Sequence, residues 1–200
     1  MHDGQTANRR ADAAQAAGAE GDLWVFGYGS LLWRPGFAYA ERRIARIHGY
    51  RRAFCLRSVR YRGTPRAPGL VLALDRAPGA WCDGAAFRVP AESAAEAHAY
   101  LNHREMDEDS YLETFHEIEL RDGGRVRALC YLMNQAHPHY APLPLDEQAR
   151  IIAASVGPAG PNAEYLHNTV AHLRELGLRD PELERLDEMV RALSGARQGA

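Results

Sequence analysis

The order of apolar and polar residues along the chain predicts strands first and helices mostly afterwards. Short apolar stretches, each bounded by glycine, proline or aspartate, predict strands at residues 23–28, 44–56, 70–74, 85–89, 117–121 and 125–133. The last two flank Asp122-Gly123-Gly124, where glycine supplies the positive φ that a tight hairpin needs. Because most links between these strands are short, the pattern predicts an antiparallel, barrel-like sheet.

One predicted helix interrupts the strands. Residues 90–106 are rich in alanine and glutamate. Ser93 is followed three residues later by Glu96, which matches a capping box and supports a helix over these residues.

The C-terminal third is predicted to be helical throughout. Apolar residues recur there at helical intervals in three segments, which are residues 145–156, residues 162–176 and the stretch from 181 onward. Asn162 is predicted to cap the second segment, and Asp180-Pro181 to open the third. Helices of this kind pack most simply on the outside of a sheet, which predicts an α+β fold.

Composition sets the class of protein. Residues 22–195 are predicted to form one domain, and residues 1–21, which are alanine-rich and lack an apolar stripe, to form a disordered tail. All 24 basic residues are arginine, and the lack of lysine excludes both a lysine Schiff base and a Walker A loop. A net charge of −2 argues against a nucleic-acid partner.

Further exclusions concern membranes and cellular compartment. No apolar run approaches the length of a membrane span or a signal peptide, so no membrane partner is expected. Three cysteines without close pairing are typical of a reducing compartment. These observations predict a cytoplasmic protein and do not define its oligomeric state.

A glycine-containing loop follows the first predicted strand and reads Gly27-Tyr28-Gly29-Ser30-Leu31-Leu32-Trp33. It does not match a dinucleotide fingerprint or a nucleophile elbow, because Leu32 stands where either motif needs glycine. What remains is a strand end whose glycines let a ligand approach the backbone, with consecutive N–H groups at Gly29, Ser30 and Leu31 that can grip an anion. The alternative is an ordinary strand-to-loop turn.

Glu105 stands out near the end of the helix predicted over residues 90–106. Leu101, Ala97 and Ala94 precede it by four, eight and eleven residues, so its carboxylate shares the apolar stripe of the helix. Burial raises the pKa of a carboxyl group, and this suits it to exchange protons near neutral pH. The alternatives are a half-buried ion pair with an arginine and a frayed helix end that reaches water.

The other candidates are weaker. The nine histidines include no set of three at metal-ligand spacing, so no metal is expected. Cys130 lies in an apolar strand, which predicts a buried, inert thiol. Arginines in one loop can bind a substrate carboxylate or simply face solvent, and they are Arg57, Arg60, Arg62 and Arg66.

Taken together, these motifs resemble the ChaC family of glutathione-specific γ-glutamylcyclotransferases. The similarity is carried by several segments in the same order as in the family, among them residues 24–37, 49–58, 62–65, 68–74, 104–106 and 157–180. It extends over roughly residues 23–190. The resemblance implies a γ-glutamylcyclotransferase-like fold, which is a small antiparallel-rich β-barrel with flanking and C-terminal helices.

The resemblance also implies roles for single residues. Glu105 stands where the family has its catalytic acid/base. The residues that stand where the family binds the γ-glutamyl part of the substrate are Gly27, Tyr28, Gly29, Ser30, Leu31 and Leu32. Tyr111, six residues after Glu105, is expected to place a hydroxyl in the same pocket.

The implied reaction needs no enzyme nucleophile, metal or cofactor. The α-amine of glutathione attacks its own γ-amide carbonyl, which closes a five-membered ring and releases 5-oxoproline and Cys-Gly. One carboxylate such as Glu105 can move both protons, and the loop amides can hold either the substrate carboxylate or the developing oxyanion. Two alternatives stay open, namely a cyclotransferase for other γ-glutamyl peptides or amines, and a non-catalytic regulatory protein that binds γ-glutamyl groups.

Overall fold

A computed structural model describes residues 21–106 and 109–198. The predicted tail, residues 1–21, therefore lies outside the described residues except for Gly21. The chain divides into two compact units: the first comprises the part up to Gly49 together with Trp81–Tyr131, and the second comprises Tyr50–Ala80 together with the part from Leu132 onward. The prediction of one domain over residues 22–195 stays a prediction.

A closed β-barrel confirms the predicted α+β architecture. Its strands are β1 (Leu23–Gly27), β2 (Glu41–Ser58), β3 (Gly69–Val89), β4 (Tyr111–Leu120) and β5 (Arg125–Met133), in the order β1-β3-β2-β4-β5. β1 pairs antiparallel with β3 but parallel with β5, where Trp24 lies opposite Ala128. This parallel pair closes the barrel, and it departs from an all-antiparallel sheet.

Two of the predicted strands are parts of one. Residues 70–74 and 85–89 both belong to the long strand β3, so the prediction of a break between them was wrong. Pro78 and Gly79 lie in its exposed middle, where a strand tolerates both residue types. Gly79 has a φ of +81°, and Gly49 in β2 has a φ of +83°, values that glycine adopts readily, and both lie close to the points where the chain passes from one unit to the other.

The hairpin between β4 and β5 is confirmed. The Leu120 N–H donates to the carbonyl of Gly124, and the Gly123 N–H donates to the carbonyl of Leu120, each over 3.0 Å. Gly123 and Gly124 have φ values of +106° and +89°, which only glycine adopts readily. β4 begins at Tyr111, six residues earlier than predicted.

The helices are α1 (Ala91–Glu105), α2 (Leu145–Ala154), α3 (Asn162–Glu175) and α4 (Pro181–Gln198), and the short strands β6 (Val156–Gly157) and β7 (Gly160–Pro161) pair between α2 and α3. None of the helices in the described ranges combines the length and apolar character needed to cross a bilayer. Asp180 caps α4 as predicted, since its Oδ1 accepts the Leu183 N–H over 3.2 Å.

The capping box predicted for α1 is wrong. The helix begins at Ala91, two residues before Ser93, and no side chain of its N-cap residue Pro90 bonds to the first turn. The carboxylate of Asp22 instead accepts the Ala91 N–H over 3.2 Å. Asp22, a residue distant in the sequence, thus provides the N-terminal cap that the local motif at Ser93 predicted.

Asn162 does not cap α3, contrary to the prediction. It is the first helical residue, and its fully buried side chain bonds to the main chain of Leu70 in β3, accepting the N–H and donating to the carbonyl, each over 2.7 Å. The side-chain amide of Asn162 therefore makes the two main-chain hydrogen bonds to Leu70 that a neighbouring strand would make in a sheet.

This pairing predicts a large effect on stability. We expect Asn162→Ala to lower the free energy of unfolding by at least about 2 kcal/mol, because two buried main-chain groups lose their partner at about 1–3 kcal/mol each. Urea unfolding measures the loss. Asn168→Ala, at an exposed position of the same helix, is the matched control, and equal stability of the two variants would contradict the assignment.

Candidate active site

The glycine loop leaves β1 at Gly27 and forms a short 3-10 helix over Ser30–Leu32. The Gly29 carbonyl accepts the Leu32 N–H over 2.9 Å, and the Ser30 carbonyl accepts the Arg34 N–H over 2.8 Å. Tyr28, Leu31 and Leu32 are buried and anchor the turn. The N–H groups of Ser30 and Leu31 lie in the first turn, where a helix offers them no acceptor.

The backbone at Gly27 is closely packed. A Cβ atom placed there would lie 3.0 Å from the ring of Phe87 and 3.1 Å from the Cβ of Leu31. A side chain at this position would therefore crowd Phe87 and the start of the loop.

Glu105 is the last residue of α1, and its placement follows the prediction. Leu101, Ala97 and Ala94 are all buried, and the Glu105 side chain is only 17% exposed. Burial raises the pKa of Glu105, and the neighbouring Arg104 guanidinium offsets part of that rise. The carboxyl group therefore holds its proton to a higher pH than an ordinary glutamate.

Arg104 connects Glu105 to the loop. Its Nε lies 3.1 Å from Glu105 Oε1, while its Nη2 donates to Ser30 Oγ over 2.8 Å and its Nη1 donates to the Arg34 carbonyl over 2.7 Å. One rigid guanidinium thus contacts the carboxylate and two points of the loop. The ion pair that stood as an alternative for Glu105 is present, and it forms part of this arrangement.

Sequence analysis did not identify Arg104 as a functional residue. Its signals in the sequence are its place in the family-like segment 104–106, its position next to Glu105 and the i, i+4 spacing from Tyr100, whose hydroxyl accepts from Arg104 Nη1 over 3.2 Å. Gly36 completes the contact: its φ is +77°, and a Cβ there would lie 2.0 Å from the Tyr100 hydroxyl oxygen. The loop therefore packs directly against α1.

Polar side chains also join α1 to the barrel one turn and two turns before Glu105. His98 Nε2 lies 2.9 Å from Glu113 Oε2 on β4, and Asn102 Oδ1 lies 3.2 Å from the hydroxyl of Tyr131 on β5. Burial and the charges of Glu113 and Glu105 raise the pKa of Tyr131 far above the ordinary value, so its phenol stays protonated.

The remaining candidates have other surroundings. Tyr111 is half-buried at the start of β4, and its place in the pocket stays a prediction. Arg62 donates to the Pro161 carbonyl over 3.1 Å and lies 5.3 Å from the ring centre of Tyr165, which gives it a structural role in the second unit.

The cysteines are buried thiols. Burial raises the pKa of Cys55 to about 12 and that of Cys130 higher still, so both stay protonated at neutral pH, as predicted for Cys130. Within residues 21–106 and 109–198, no group of three or more His, Cys, Asp and Glu side chains is arranged to hold a metal ion. The expectation of a reaction without metal or cofactor stays a prediction.

A small closed barrel, with a glycine loop at a strand end and a half-buried carboxylate beside it, defines a protein with the γ-glutamylcyclotransferase fold. The crystal structure of a γ-glutamylcyclotransferase specific to glutathione from yeast is similar, with a TM-score of 0.77 at 27% identity, covering 86% of this chain and 96% of that one. The family model described as ChaC-like protein matches residues 23–193. The chain therefore belongs to the ChaC family.

Curated relatives agree with this assignment. The chain is 39% identical to the glutathione-specific γ-glutamylcyclotransferase of Escherichia coli, over 87% of this chain and 75% of that protein. It is 35% identical to glutathione-specific γ-glutamylcyclotransferase 1 of Rattus norvegicus, over 92% of this chain and 86% of that protein. The resemblance found in the sequence motifs is thus confirmed.

Proposed function

We propose that this protein is a lyase that cleaves reduced glutathione into 5-oxoproline and Cys-Gly. The observation that carries the proposal is the half-buried Glu105, which Arg104 ties to the glycine loop. The relatives that share the fold bear the name of this activity. The ring closure needs no water and no enzyme nucleophile, because the substrate supplies both reacting groups.

Glu105 acts as general base and then as general acid. As the α-amine of the γ-glutamyl group attacks the γ-carbonyl carbon, the new C–N bond forms and the amine loses a proton to the Glu105 carboxylate. Glu105 then returns this proton to the leaving nitrogen as the old amide bond breaks. Shuttling of this kind contributes about 10²–10⁴-fold, and a raised pKa suits a group that must both take and give a proton.

The glycine loop holds the substrate in its cyclising conformation. Well-oriented intramolecular attack is worth about 7 kcal/mol or more, so a fixed backbone can contribute more than the proton shuttle. The N–H groups of Gly29, Ser30 and Leu31 bind an anionic oxygen, which is either the substrate carboxylate or the developing oxyanion. Loss of a carboxylate contact raises KM, whereas loss of an oxyanion contact lowers kcat.

A crowding variant tests the loop. We expect Gly27→Ala to lower kcat/KM about tenfold, because the added methyl group displaces the turn against Phe87 and Leu31. Steady-state kinetics on glutathione then separate the effect on KM from that on kcat. Gly195→Ala, where a Cβ meets nothing within 4 Å, is the control, and unchanged kinetics in both variants would count against the loop as the substrate cradle.

The substrate is tested directly. Purified protein is incubated with glutathione, γ-glutamyl-alanine and γ-glutamyl-lysine, and each product is identified by mass. We expect 5-oxoproline from glutathione alone. Turnover of the other two peptides would indicate a cyclotransferase with a broader substrate range. No 5-oxoproline from any of the three would support a binding protein.

We place the reaction in the cytoplasm. Its substrate is kept reduced there, and the buried thiols of Cys55, Cys82 and Cys130 are compatible with a reducing compartment.

A further inference from the structure

A half-buried polar cluster lies on the same face of α1 as Glu105. His98 and Asn102 precede Glu105 by seven and three residues, spacings that place all three side chains on one side of a helix. The partners of the first two come from the barrel strands β4 and β5, so this face is turned towards the sheet.

The cluster is continuous. His98 Nε2 lies 2.9 Å from Glu113 Oε2 and donates to it in the tautomer that carries the hydrogen on Nε2. The Tyr131 hydroxyl lies 3.2 Å from Asn102 Oδ1 and 3.4 Å from Glu113 Oε2, so it can donate to either. Asn102 Nδ2 lies 3.2 Å from His98 Nε2, and it donates to that nitrogen only in the tautomer in which Nε2 does not donate to Glu113.

The cluster is also shielded from water. The side chains of His98 and Glu113 are 22% and 13% exposed, and Tyr131 is 1% exposed. Directional polar contacts are strong in such surroundings, and leaving one of them unpaired is costly.

Apolar packing alone defines the rotation of α1 poorly. Its buried apolar residues are Ala94, Ala97 and Leu101, and only the last is large. Alanine offers a smooth surface against which a helix can turn, whereas a catalytic group must be held within about 0.5 Å and about 10–20° of its working geometry.

We propose that His98, Asn102, Glu113 and Tyr131 form a positioning network that fixes the rotation of α1 and so holds the Glu105 carboxylate at the site. These residues act through Glu105, and the inference rests on the proposed function. Two contacts to two different strands, one and two turns before Glu105, leave the last turn of the helix little freedom.

A double-variant series separates positioning from stability. His98→Leu and Glu113→Leu each leave a shielded polar partner unpaired, so each lowers the melting temperature. The double variant replaces the whole pair by apolar side chains, and we expect its melting temperature to return to within about 2 °C of the unchanged protein.

The activity of the His98/Glu113 double variant is not expected to recover with its melting temperature. In the double variant kcat for 5-oxoproline release stays at least about fivefold low while KM changes less than about twofold, because a shifted Glu105 still lets the loop bind substrate. Tyr131→Phe removes a single oxygen and gives a smaller fall in kcat, again at constant KM. The control is the double variant His103→Leu with Glu117→Leu, at exposed positions of α1 and β4, which keeps both constants.

Recovery of both melting temperature and kcat in the His98/Glu113 double variant would overturn the proposal, since the network would then be only structural. Unchanged kcat in Tyr131→Phe would overturn it as well. A failure of the proposed function looks different, because the unchanged protein would then release no 5-oxoproline, or Glu105→Gln would turn over normally.

Discussion

Glu105→Gln is expected to lower 5-oxoproline release from glutathione by about 10²–10⁴-fold, because an amide cannot carry the proton between the attacking and the leaving nitrogen. Glutamine has nearly the same shape as glutamate, so substrate binding changes little. Mass detection of 5-oxoproline measures the reaction, and calorimetric binding of glutathione measures the binding.

The same variant is expected to keep or raise the melting temperature at neutral pH. Since the folded-state pKa of Glu105 is raised, the folded protein binds its proton more tightly than the unfolded chain does. The stability from this group is present below the unfolded pKa and is lost as pH rises through the folded pKa. Removing the charge therefore removes a cost of folding, and loss of activity with no loss of stability marks a functional residue.

Glu96→Gln is the control for this prediction, because it makes the same change at an exposed position in the middle of the same helix. It should alter neither activity nor melting temperature. Normal turnover in Glu105→Gln would remove Glu105 from the mechanism.

Arg104→Gln is expected to lower kcat/KM about 10²-fold, since the loop loses its contacts through Ser30 and Arg34 and shifts away from the carboxylate. Arg104→Lys keeps a positive charge but loses the planar fork that makes these contacts at once. We therefore expect a similar loss of kcat/KM in both variants.

The pH profile distinguishes the two Arg104 variants. The charge of Arg104 lowers the pKa of Glu105, so its removal raises that pKa further. The acidic limb of kcat/KM, where Glu105 must be deprotonated to act as base, then moves to higher pH in Arg104→Gln. In Arg104→Lys the limb should stay near its original position.

Arg76→Gln, at an exposed position of β3, controls for the loss of one positive charge. It should leave both kcat/KM and the pH profile unchanged. If Arg104→Gln behaves like this control, the contact between α1 and the loop does not organise the site.

Interactions between near neighbours could be predicted well. The hairpin at Gly123 and Gly124, the cap of α4 by Asp180 and the inward face of Glu105 all follow from backbone conformation or helical spacing, which act over a few residues. Family resemblance then assigned the chemistry that spacing alone left open.

Interactions between residues distant in the sequence could not be predicted from the sequence. Asn162 pairs with Leu70 across 92 positions, Asp22 caps α1 across 69, and Arg104 reaches Ser30 across 74. No period or local motif marks such partners, because they meet only when separate elements pack. Local patterns therefore misplaced the caps of α1 and α3.

The sequence by itself determined most of the elements, the family and the inward-facing glutamate, because periodicity and ordered motifs are properties of the chain. Only the tertiary structure decided what Glu105 touches. Arg104 reaches Ser30, and Tyr131 reaches Asn102, across positions that the linear order keeps apart, and packing alone sets these distances.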